Sequence, residues 1–310
     1  MSATIQTGNE PTTVQIILAS YNIQYGVGKD ERHDLARIVS DLGDADIIAL
    51  QEVEIGNPLR DFVDQSAEIA GLLGREFWAY GPGIDVHLNG SVTGGRPGLR
   101  HKFGNMVLSR WPIQSVTNHT LPKIGLHGTL HLQRTLLETV IATPVSPLRF
   151  CCTHLDHVSP LNRMPQAEAL RAIMLDAARR GAPWGGAEPD DAGFPGPLPP
   201  WPRGGVIMGD MNFEPGAPEY EHLLGDASPM LRKRVMPADG LFDAWVMTEH
   251  CEAEGWTFKR PEKQPMRLDH CFVTEDYVPS LISMRIDQEA AGSDHQPIFV
   301  TLDLGMKASR

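Results

Sequence analysis

The sequence predicts an α/β fold in which two mixed β-sheets pack face to face, with helices on the outside. Many short apolar runs are typical of buried strands, whereas only about three segments have the length and periodicity of a sizeable helix. So few helices cannot cover both faces of one wide parallel sheet. Two stacked sheets avoid this problem because each covers one face of the other.

Composition and length indicate a globular protein with one large domain or two ordinary ones. The chain has 310 residues, of which 41% are hydrophobic and 21% are charged. No internal repeat and no linker divides it. We therefore expect a single domain at 14–304 that carries a Pro/Gly-rich insertion at 182–205. A flexible N-terminal tail at 1–13 and a C-terminal tail at 305–310 would flank it.

Targeting signals, cysteines and net charge narrow the possible functions. No apolar run approaches the roughly 18 residues of a membrane span, and the first residues lack the features of a signal peptide, which predicts a cytoplasmic protein. The four cysteines form neither a disulfide framework nor a CxxC metal pair. A net charge of -12 would repel a polyanion such as DNA, although a local basic patch could still bind it. A nucleic-acid substrate is therefore less expected than a small one.

The first half of the predicted domain alternates strands with helices. The apolar run at 14–20 is continuous enough for a strand that is covered on both faces, and it ends close to Asn22. Apolar residues at helical spacing predict a helix at 35–42. A second buried strand at 46–50 leads into Glu52. Because burying a lone carboxylate is costly, this glutamate needs a partner, either a metal ion or an ordinary ion pair.

The centre of the chain combines one helix, one loop and three strands. They are expected, in order, as a helix at 62–73, a loop at 85–103, a strand at 104–112 and hairpin strands at 132–142 and 148–153. Arg134 begins the first hairpin strand and His154 ends the second. The loop is cationic and could steer an anionic substrate, although a solvated rim is the commoner arrangement. Its basic residues are Arg96, Arg100, His101 and Lys102.

The second half begins with the longest predicted helix, at 161–180, and the insertion at 182–205. The insertion is rich in Pro and Gly and contains Trp184, Phe194 and Trp201. A lid over the substrate and a surface loop packed by its aromatic residues are equally compatible with it. The remaining elements are a strand at 206–208, a helix at 217–224 and strands at 268–274 and 296–304.

Polar residues stand at one end of six predicted strands. Four strands carry them at their C-terminal ends, and two later strands carry them at their N-terminal ends. The first group is Asn22, Glu52, His154, and Asp210 with Asn212; the second group is Asp269, and Asp294 with His295. If the later strands run antiparallel to the earlier ones, all these residues meet at one rim, which requires mixed sheets.

These residue types suit metal-assisted chemistry on an anionic substrate. Asp210 can ligate a cation or take a proton from water, and Asn212 can donate a hydrogen bond to a phosphate oxygen. A cationic His295 could stabilise a phosphoryl oxygen, while His154 is available as a general acid. Taken singly, the Asp and Asn residues would suit a turn, and the histidines a structural role. Hard oxygen ligands suit Mg²⁺ or Mn²⁺, and the candidates are Glu52, Asp269, Asp294 and Asn22.

One ordered set of motifs spans the chain from about residue 14 to about residue 304. It consists of Asn22, Gln51-Glu52, Thr153-His154-Leu155, Gly209-Asp210-Met211-Asn212, Arg267-Leu268-Asp269-His270 and Ser293-Asp294-His295. This set resembles the motifs of the endonuclease/exonuclease/phosphatase superfamily. That superfamily includes DNase I-like nucleases, abasic-site endonucleases, inositol polyphosphate 5-phosphatases, neutral sphingomyelinases and deadenylases. The resemblance implies a four-layer α/β sandwich and metal-dependent hydrolysis of a phosphoester.

The resemblance also implies a role for each matching residue. Glu52 would be the principal metal ligand, and Asp210 would orient and deprotonate the attacking water. His295, paired with Asp269, would stabilise the transition state, while His154 would protonate or polarise the leaving oxygen. The further metal ligands would be Asn22, Asp294 and Asp210. The residues in contact with the phosphate would be Asn212, Arg134, Asn22 and His154.

The sequence favours a Mg²⁺- or Mn²⁺-dependent phosphodiesterase or phosphatase acting on a small-molecule or lipid-derived phosphoester. Nuclease members often have Asp two residues after the first Asn, where this chain has Gln24, and abasic-site endonucleases tend to have Tyr in place of His154. The acidic charge and the insertion at 182–205 favour an enclosing wall over the basic groove of a nuclease. The alternative is a nuclease acting on DNA or RNA. A binding protein that only retains the fold is a third possibility.

Overall fold

The structure is a computed structural model that describes residues 14–94, 97–185, 198–231, 233–260 and 264–306. The expected tail at 1–13, the centre of the insertion at 182–205 and the last residues of the expected tail at 305–310 lie outside these ranges, as do Arg96 and Phe194. The described residues form two mixed six-stranded sheets with helices on their outer faces, which confirms the predicted fold class.

The two sheets have matching topologies. The strands of the first half are β1 (Gln15–Asn22), β2 (Ile47–Ile55), β3 (Phe77–His87), β4 (Arg100–Ser109), β5 (Ile113–Thr120), β6 (Thr135–Ala142) and β7 (Pro147–His154). Those of the second half are β8 (Val206–Asp210), β9 (Ala227–Ser228), β10 (Lys233–Arg234), β11 (Leu241–Asp243), β12 (Asp269–Thr274), β13 (Leu281–Ile286) and β14 (Ile298–Asp303). The first sheet has the order β13-β14-β1-β2-β4-β3, and the second has the order β11-β12-β8-β7-β6-β5. In each, a central parallel pair, β1 with β2 or β7 with β8, is flanked by antiparallel neighbours.

The α-helices are α1 (Leu35–Leu42), α2 (Gln65–Leu73), α3 (Gly90–Thr93), α4 (Pro160–Leu175), α5 (Ala177–Arg180), α6 (Pro218–Leu224) and α7 (Ala244–Met247). Of these, α1 and α2 cover the outer face of the first sheet, and α4 and α6 cover that of the second. The main core lies between the sheets and includes Leu18, Val107, Cys152, Met208 and Val300. Alternate residues of the same strands pack beneath α1 and α4, which explains why the central strands have continuous apolar runs. No helix in the described part of the chain is long and apolar enough to cross a lipid bilayer.

The prediction of a loop at 85–103 is wrong at both ends of this segment, because β3 and β4 extend into it as an antiparallel ribbon. The ribbon is polar and largely exposed, so its sequence lacks the apolar pattern by which strands are recognised. Arg100 and Lys102 form salt bridges with Asp85 across the ribbon. These two cations therefore belong to a solvated rim and not to a substrate-steering loop.

The helix predicted at 161–180 is two helices, α4 and α5. The guanidinium of buried Arg149 donates to the carbonyls of Ile173 and Met174, at 3.3 and 2.6 Å, in the last turn of α4. Arg180 donates to the Ile173 carbonyl at 2.8 Å. These tertiary donors satisfy carbonyls at the end of α4, so the helix can end earlier than its apolar periodicity indicates.

Candidate active site

The polar strand ends lie together at one edge of the two sheets. Asn22 of β1 stands opposite Gln51 of β2, and His154 of β7 stands opposite Asp210 of β8. As predicted, β12 and β14 run antiparallel to their neighbours, and Asp269 stands opposite Asp210. Both parallel pairs and both antiparallel neighbours thus direct polar residues towards the same cleft.

Glu52 reaches this cleft through an irregularity in β2. The pairing of β2 with β4 shifts register between Leu50 and Val53, and Glu52 has a left-handed backbone with a φ of 62°. A bulge of this kind re-aims one side chain without ending the strand, so β2 continues to Ile55 and does not end at Glu52 as predicted. The Glu52 Oε1 atom accepts a hydrogen bond from Asn22 Nδ2 at 3.3 Å.

Asp210 lies at the end of β8, next to a glycine that permits close strand pairing. A β-carbon on Gly209 would collide with the carbonyl oxygen of Thr153 on β7. The Asp210 Oδ2 atom accepts a hydrogen bond from Asn22 Nδ2 at 2.9 Å, and Oδ1 accepts one from the backbone N of Asn212 at 3.0 Å. Burial raises the pKa of Asp210 to about 7, so this carboxylate can take up a proton near neutral pH.

His295 is held between two carboxylates. Its Nδ1 lies 2.7 Å from Asp269 Oδ2, and its Nε2 lies 3.6 Å from Asp210 Oδ2. Burial alone would lower the pKa of His295, but the charges of Asp269 and Asp210 raise it to about 10, so the ring is a cation at neutral pH. Ser293 anchors the segment before β14 that carries His295. Its Oγ donates to the Asn22 carbonyl at 2.7 Å and accepts from the His295 backbone N at 3.2 Å.

Arg134 sets the tautomers of two histidines. Its guanidinium nitrogens lie 3.0 Å from His154 Nδ1 and 3.1 Å from His157 Nδ1. Because a guanidinium can only donate, both Nδ1 atoms accept and both Nε2 atoms carry the proton. Burial and the charge of Arg134 lower the pKa of His154 well below its ordinary value. His154 is therefore a neutral donor, with Nε2 lying 3.3 Å from Asp210 Oδ2.

Asn212 and Asp294 line the cleft from opposite sheets. Asn212 has a left-handed backbone with a φ of 53°, and its Nδ2 donates to the Leu155 carbonyl at 3.1 Å. Asp294 is half-buried, and its Oδ1 lies 3.4 Å from Ser293 Oγ. Every predicted site residue lines the cleft except Asp269, which contacts it through His295.

The carboxylates of the cleft fit a divalent cation. Burial raises the pKa of Glu52. The charges of Arg134 and His295 lower this pKa, and the charge of Asp294 raises it. Glu52 and Asp210 share one neutral donor, Asn22 Nδ2, which places a partly buried and a fully buried carboxylate close together. A bound cation would offset their repulsion and their desolvation, and hard oxygen donors are the ligands that Mg²⁺ and Mn²⁺ prefer.

A second possible metal site consists of Asp210, Asp269 and His295. Each of these residues contributes one potential ligand atom, and the three atoms lie within 4.8 Å of one another. The contact of 2.7 Å between His295 Nδ1 and Asp269 Oδ2 already uses two of these atoms in a charged hydrogen bond. The oxygen-rich group around Glu52 is therefore the better candidate for a metal site. Within the ranges that the structure covers, the buried Asp269 Oδ1 atom has no hydrogen-bond partner.

The cleft has a volume of about 370 Å³ and includes residues that the sequence analysis does not single out. They are Tyr25, His157, Phe258, Arg260 and Met266. His157 follows His154 by three positions, so the local histidine spacing could have indicated it. Phe258 and Arg260 come from a segment without a motif, and Phe258 reaches the site because it bridges Met266 and His295 by backbone pairing.

The described ends of the insertion pack away from the cleft. Trp201 Nε1 donates to the Ala177 carbonyl at 2.6 Å, and the guanidinium of Arg180 lies 5.4 Å from the centre of the Trp201 ring. Neither 182–185 nor 198–205 contributes to the lining of the cleft. These parts of the insertion do not provide the enclosing wall that the sequence favours.

Comparisons with known proteins identify one family and one fold. A profile of the Endonuclease/Exonuclease/phosphatase family matches residues 19–295. A comparison with curated proteins finds no match.

Solved structures with a similar fold come from several organisms. An endonuclease/exonuclease/phosphatase from Beutenbergia cavernae is 20% identical, with a TM-score of 0.61 over 94% of this chain and 72% of that chain. A mannosyl-6-phosphatase from Bacteroides thetaiotaomicron is 18% identical, with a TM-score of 0.56 over 92% of this chain and 98% of that chain. TDP2 from Caenorhabditis elegans is 17% identical, with a TM-score of 0.54 over 94% of this chain and 74% of that chain. At these identities, each likeness shows a shared fold alone.

Proposed function

The chain belongs to the endonuclease/exonuclease/phosphatase family, and on this premise we propose that it is a Mg²⁺- or Mn²⁺-dependent phosphoesterase that acts on a small-molecule or lipid-derived phosphoester. The main support is the environment of Asp210, a buried carboxylate with a pKa of about 7. Its Oδ2 lies 3.6 Å from Nε2 of the cationic His295. A base and a cation so close together suit the activation of water beside a phosphoryl group.

The proposed hydrolytic step centres on Asp210. Its carboxylate orients a water molecule and accepts one of its protons while the water oxygen forms a bond to phosphorus. The bond between phosphorus and the leaving oxygen breaks on the opposite side, and the leaving oxygen takes a proton from solvent. Asn22 keeps the carboxylate oriented through its hydrogen bond of 2.9 Å to Oδ2.

Four side chains would stabilise the charge on the phosphoryl oxygens. His295 supplies a cation that Asp269 maintains through the contact of 2.7 Å. Arg134 supplies a second cation, and Asn212 offers its remaining amide proton. His154 donates its Nε2–H in a hydrogen bond and polarises an oxygen. It does not transfer this proton, because its lowered pKa keeps the ring neutral near neutral pH and a neutral imidazole is a very weak acid.

The proposed metal ligands are the oxygen donors of Glu52, Asn22, Asp294 and Asp210. A divalent cation bound there would act as a Lewis acid and polarise a phosphoryl oxygen. Glu52 is the central ligand in this proposal, because the bulge in β2 directs its side chain into the cleft, where the neutral amide of Asn22 donates to it.

Three observations support a small substrate. The net charge of -12 opposes a polyanion. The cleft volume of about 370 Å³ is in the range of small-molecule sites. A mannosyl-6-phosphatase shares the fold, so this architecture can serve a phosphorylated sugar.

One observation supports the nuclease alternative. A cavity of about 420 Å³ adjoins the cleft and shares Asn212, Met266 and Leu268 with it. A chain of nucleotides could extend from the cleft across this neighbouring cavity.

Parallel hydrolysis assays test the proposal. The substrates are p-nitrophenyl phosphate, bis-p-nitrophenyl phosphate and a supercoiled plasmid, each with Mg²⁺, Mn²⁺ or EDTA. We expect metal-dependent cleavage of the small esters and an intact plasmid. Asp210→Asn should lose roughly 100-fold or more in turnover, whereas Asp239→Asn, at an exposed carboxylate, should lose little. Plasmid nicking that Asp210→Asn abolishes would favour the nuclease, and hydrolysis of no substrate would contradict the proposal.

A further inference from the structure

A second cavity, of about 640 Å³, opens beside the catalytic cleft. It shares Gln24, Arg260 and Asp294 with the cleft, so the two cavities adjoin each other. We call this second cavity the annex. Its remaining walls include Lys29, Trp256 and Lys259.

Three cations surround the annex, Lys29, Lys259 and Arg260. Within the described part of the chain, none of them forms a salt bridge of 4.0 Å or less with a carboxylate. Some cations elsewhere are paired, since Arg149, Arg163 and Arg234 each lie 3.0 Å or less from a carboxylate oxygen. The carboxylates of Glu31 and Asp294 also line the annex, so its lining carries three positive and two negative charges. In a chain with a net charge of -12, this local excess of positive charge favours an anion.

The cations of the annex are held in place by contacts that leave their charge available. Lys29 Nζ donates to the Ala290 carbonyl at 2.7 Å. Lys259 Nζ lies 5.8 Å from the centre of the Trp256 ring, and the Arg260 guanidinium lies 5.2 Å from the centre of the Phe258 ring. Such contacts reduce the freedom that these side chains would lose when a ligand binds.

We propose that the annex binds a second phosphate group of the same substrate molecule whose phosphoester is hydrolysed in the cleft. This inference rests on the proposed function. Arg260 lines both cavities, so it can contact the part of the substrate that connects the two phosphates. Lys29 and Lys259 bind the second phosphate, and Trp256 borders the carbon skeleton. The substrate class is therefore a small molecule that carries two phosphates.

The test compares two substrates that differ by one phosphate, fructose 6-phosphate and fructose 1,6-bisphosphate. For the wild-type protein with Mn²⁺, we expect kcat/KM to be at least about tenfold higher for the bisphosphate. Lys29→Gln and Lys259→Gln should each reduce this ratio by about threefold to tenfold. The matched control is Lys233→Gln, at an exposed lysine on β10, which should leave the ratio unchanged.

Equal kcat/KM values for the two sugars would overturn the inference, as would a ratio that neither annex variant reduces. A higher kcat/KM for a short oligonucleotide than for the bisphosphate would also overturn it and would assign the annex to a nucleic acid. If the wild-type protein hydrolyses no phosphoester, the proposed function fails, and calorimetric binding of the two sugars then decides about the annex. Tighter binding of the bisphosphate that depends on Lys29 and Lys259 would support it, and equal binding would overturn it.

Discussion

Glu138 and Asp210 are both buried carboxylates on the second sheet, but the groups around them differ. Glu138 lies 2.7 Å from His119 Nε2 and accepts hydrogen bonds of 2.9 Å from both Arg149 and Arg180. Although burial opposes it, these contacts lower the pKa of Glu138 to about 2. Asp210 accepts hydrogen bonds from a carboxamide and a backbone N–H and lies 3.3 Å from Nε2 of the neutral His154, and burial raises its pKa to about 7.

This difference separates a structural carboxylate from a chemically active one. Glu138 is surrounded by cations that hold it ionised, so it cannot exchange a proton near neutral pH. The nearest cation to Asp210 is His295 Nε2, at 3.6 Å, which is too long for a hydrogen bond. Burial does not decide which carboxylate is functional. The donors that surround it do.

The largest effect should follow from Asp210→Asn. The amide keeps the shape and the contact with Asn22 but cannot accept a proton from water. We expect kcat for bis-p-nitrophenyl phosphate to fall about 10²- to 10⁴-fold, measured with saturating Mn²⁺. A variant that keeps more than about one tenth of the wild-type kcat would exclude Asp210 as the general base.

Arg149→Met should reverse this pattern, because it affects stability and not catalysis. It leaves Glu138 without one of its cations and removes the donors to the end of α4. Breaking a buried ion pair costs about 3 to 5 kcal/mol, and we expect the free energy of unfolding in urea to fall by about this amount. The kcat of the remaining folded protein should stay within about twofold of the wild-type value. A stable Arg149→Met variant with low kcat would contradict the structural role.

Acid should destabilise the protein through Glu138. Its pKa is about 2 in the folded protein against an ordinary value of 4.5, so its contribution is present above pH 4.5 and is lost as the pH falls through about 2. The contribution is on the order of 3 kcal/mol. Urea unfolding at pH 6, 4 and 3 should show a smaller loss of stability in Glu138→Gln than in the wild type. Parallel losses in both proteins would assign the acid sensitivity to other groups.

Mn²⁺ should stabilise the folded protein through Glu52. At a concentration 100 times its Kd, a ligand that binds only the folded state raises the free energy of unfolding by about 2.7 kcal/mol. Glu52→Gln should remove most of this stabilisation, as measured by thermal unfolding with and without Mn²⁺. Glu214→Gln, at an exposed carboxylate outside the cleft, is the matched control. An equal response of wild type and Glu52→Gln would place the metal elsewhere.

The smallest effect is expected for Asp269→Asn. The variant removes a negative charge that raises the pKa of His295 to about 10, so the cation would be lost at a lower pH. We expect kcat to fall roughly 10- to 100-fold, which is typical when the partner of an active-site group is removed. The alkaline limb of the pH–rate profile should also move to lower pH. A profile with an unchanged alkaline limb would mean that His295 does not act as a cation.

The rim of the two sheets could be predicted because local and topological constraints agree. Polar residues such as Asn22 and Asp210 interrupt apolar runs at strand ends. Only mixed sheets bring the C-terminal ends of the early strands and the N-terminal ends of the later strands to one edge. The matched pattern in the two sheets follows from the same requirement.

Other features of the site depend on contacts that no local pattern encodes. Phe258 lines the cleft because of its backbone pairing with Met266 and His295. The neutral state of His154 depends on burial and on Arg134, which is 20 positions away in sequence. The bulge at Glu52 depends on the pairing of β2 with β4. The ribbon of β3 and β4 is exposed, so its residues lack the apolar alternation of a core strand.

The most direct test of the contrast is the free energy of unfolding of Asp210→Asn and Glu138→Gln, measured in urea at pH 7 without metal. A carboxyl group whose pKa is raised in the folded state destabilises that state above its unfolded pKa, and a group whose pKa is lowered stabilises it. Asp210→Asn should therefore be as stable as the wild type or more stable, whereas Glu138→Gln should be less stable by about 3 kcal/mol. Destabilisation of both variants by similar amounts would mean that Asp210 is a structural carboxylate like Glu138.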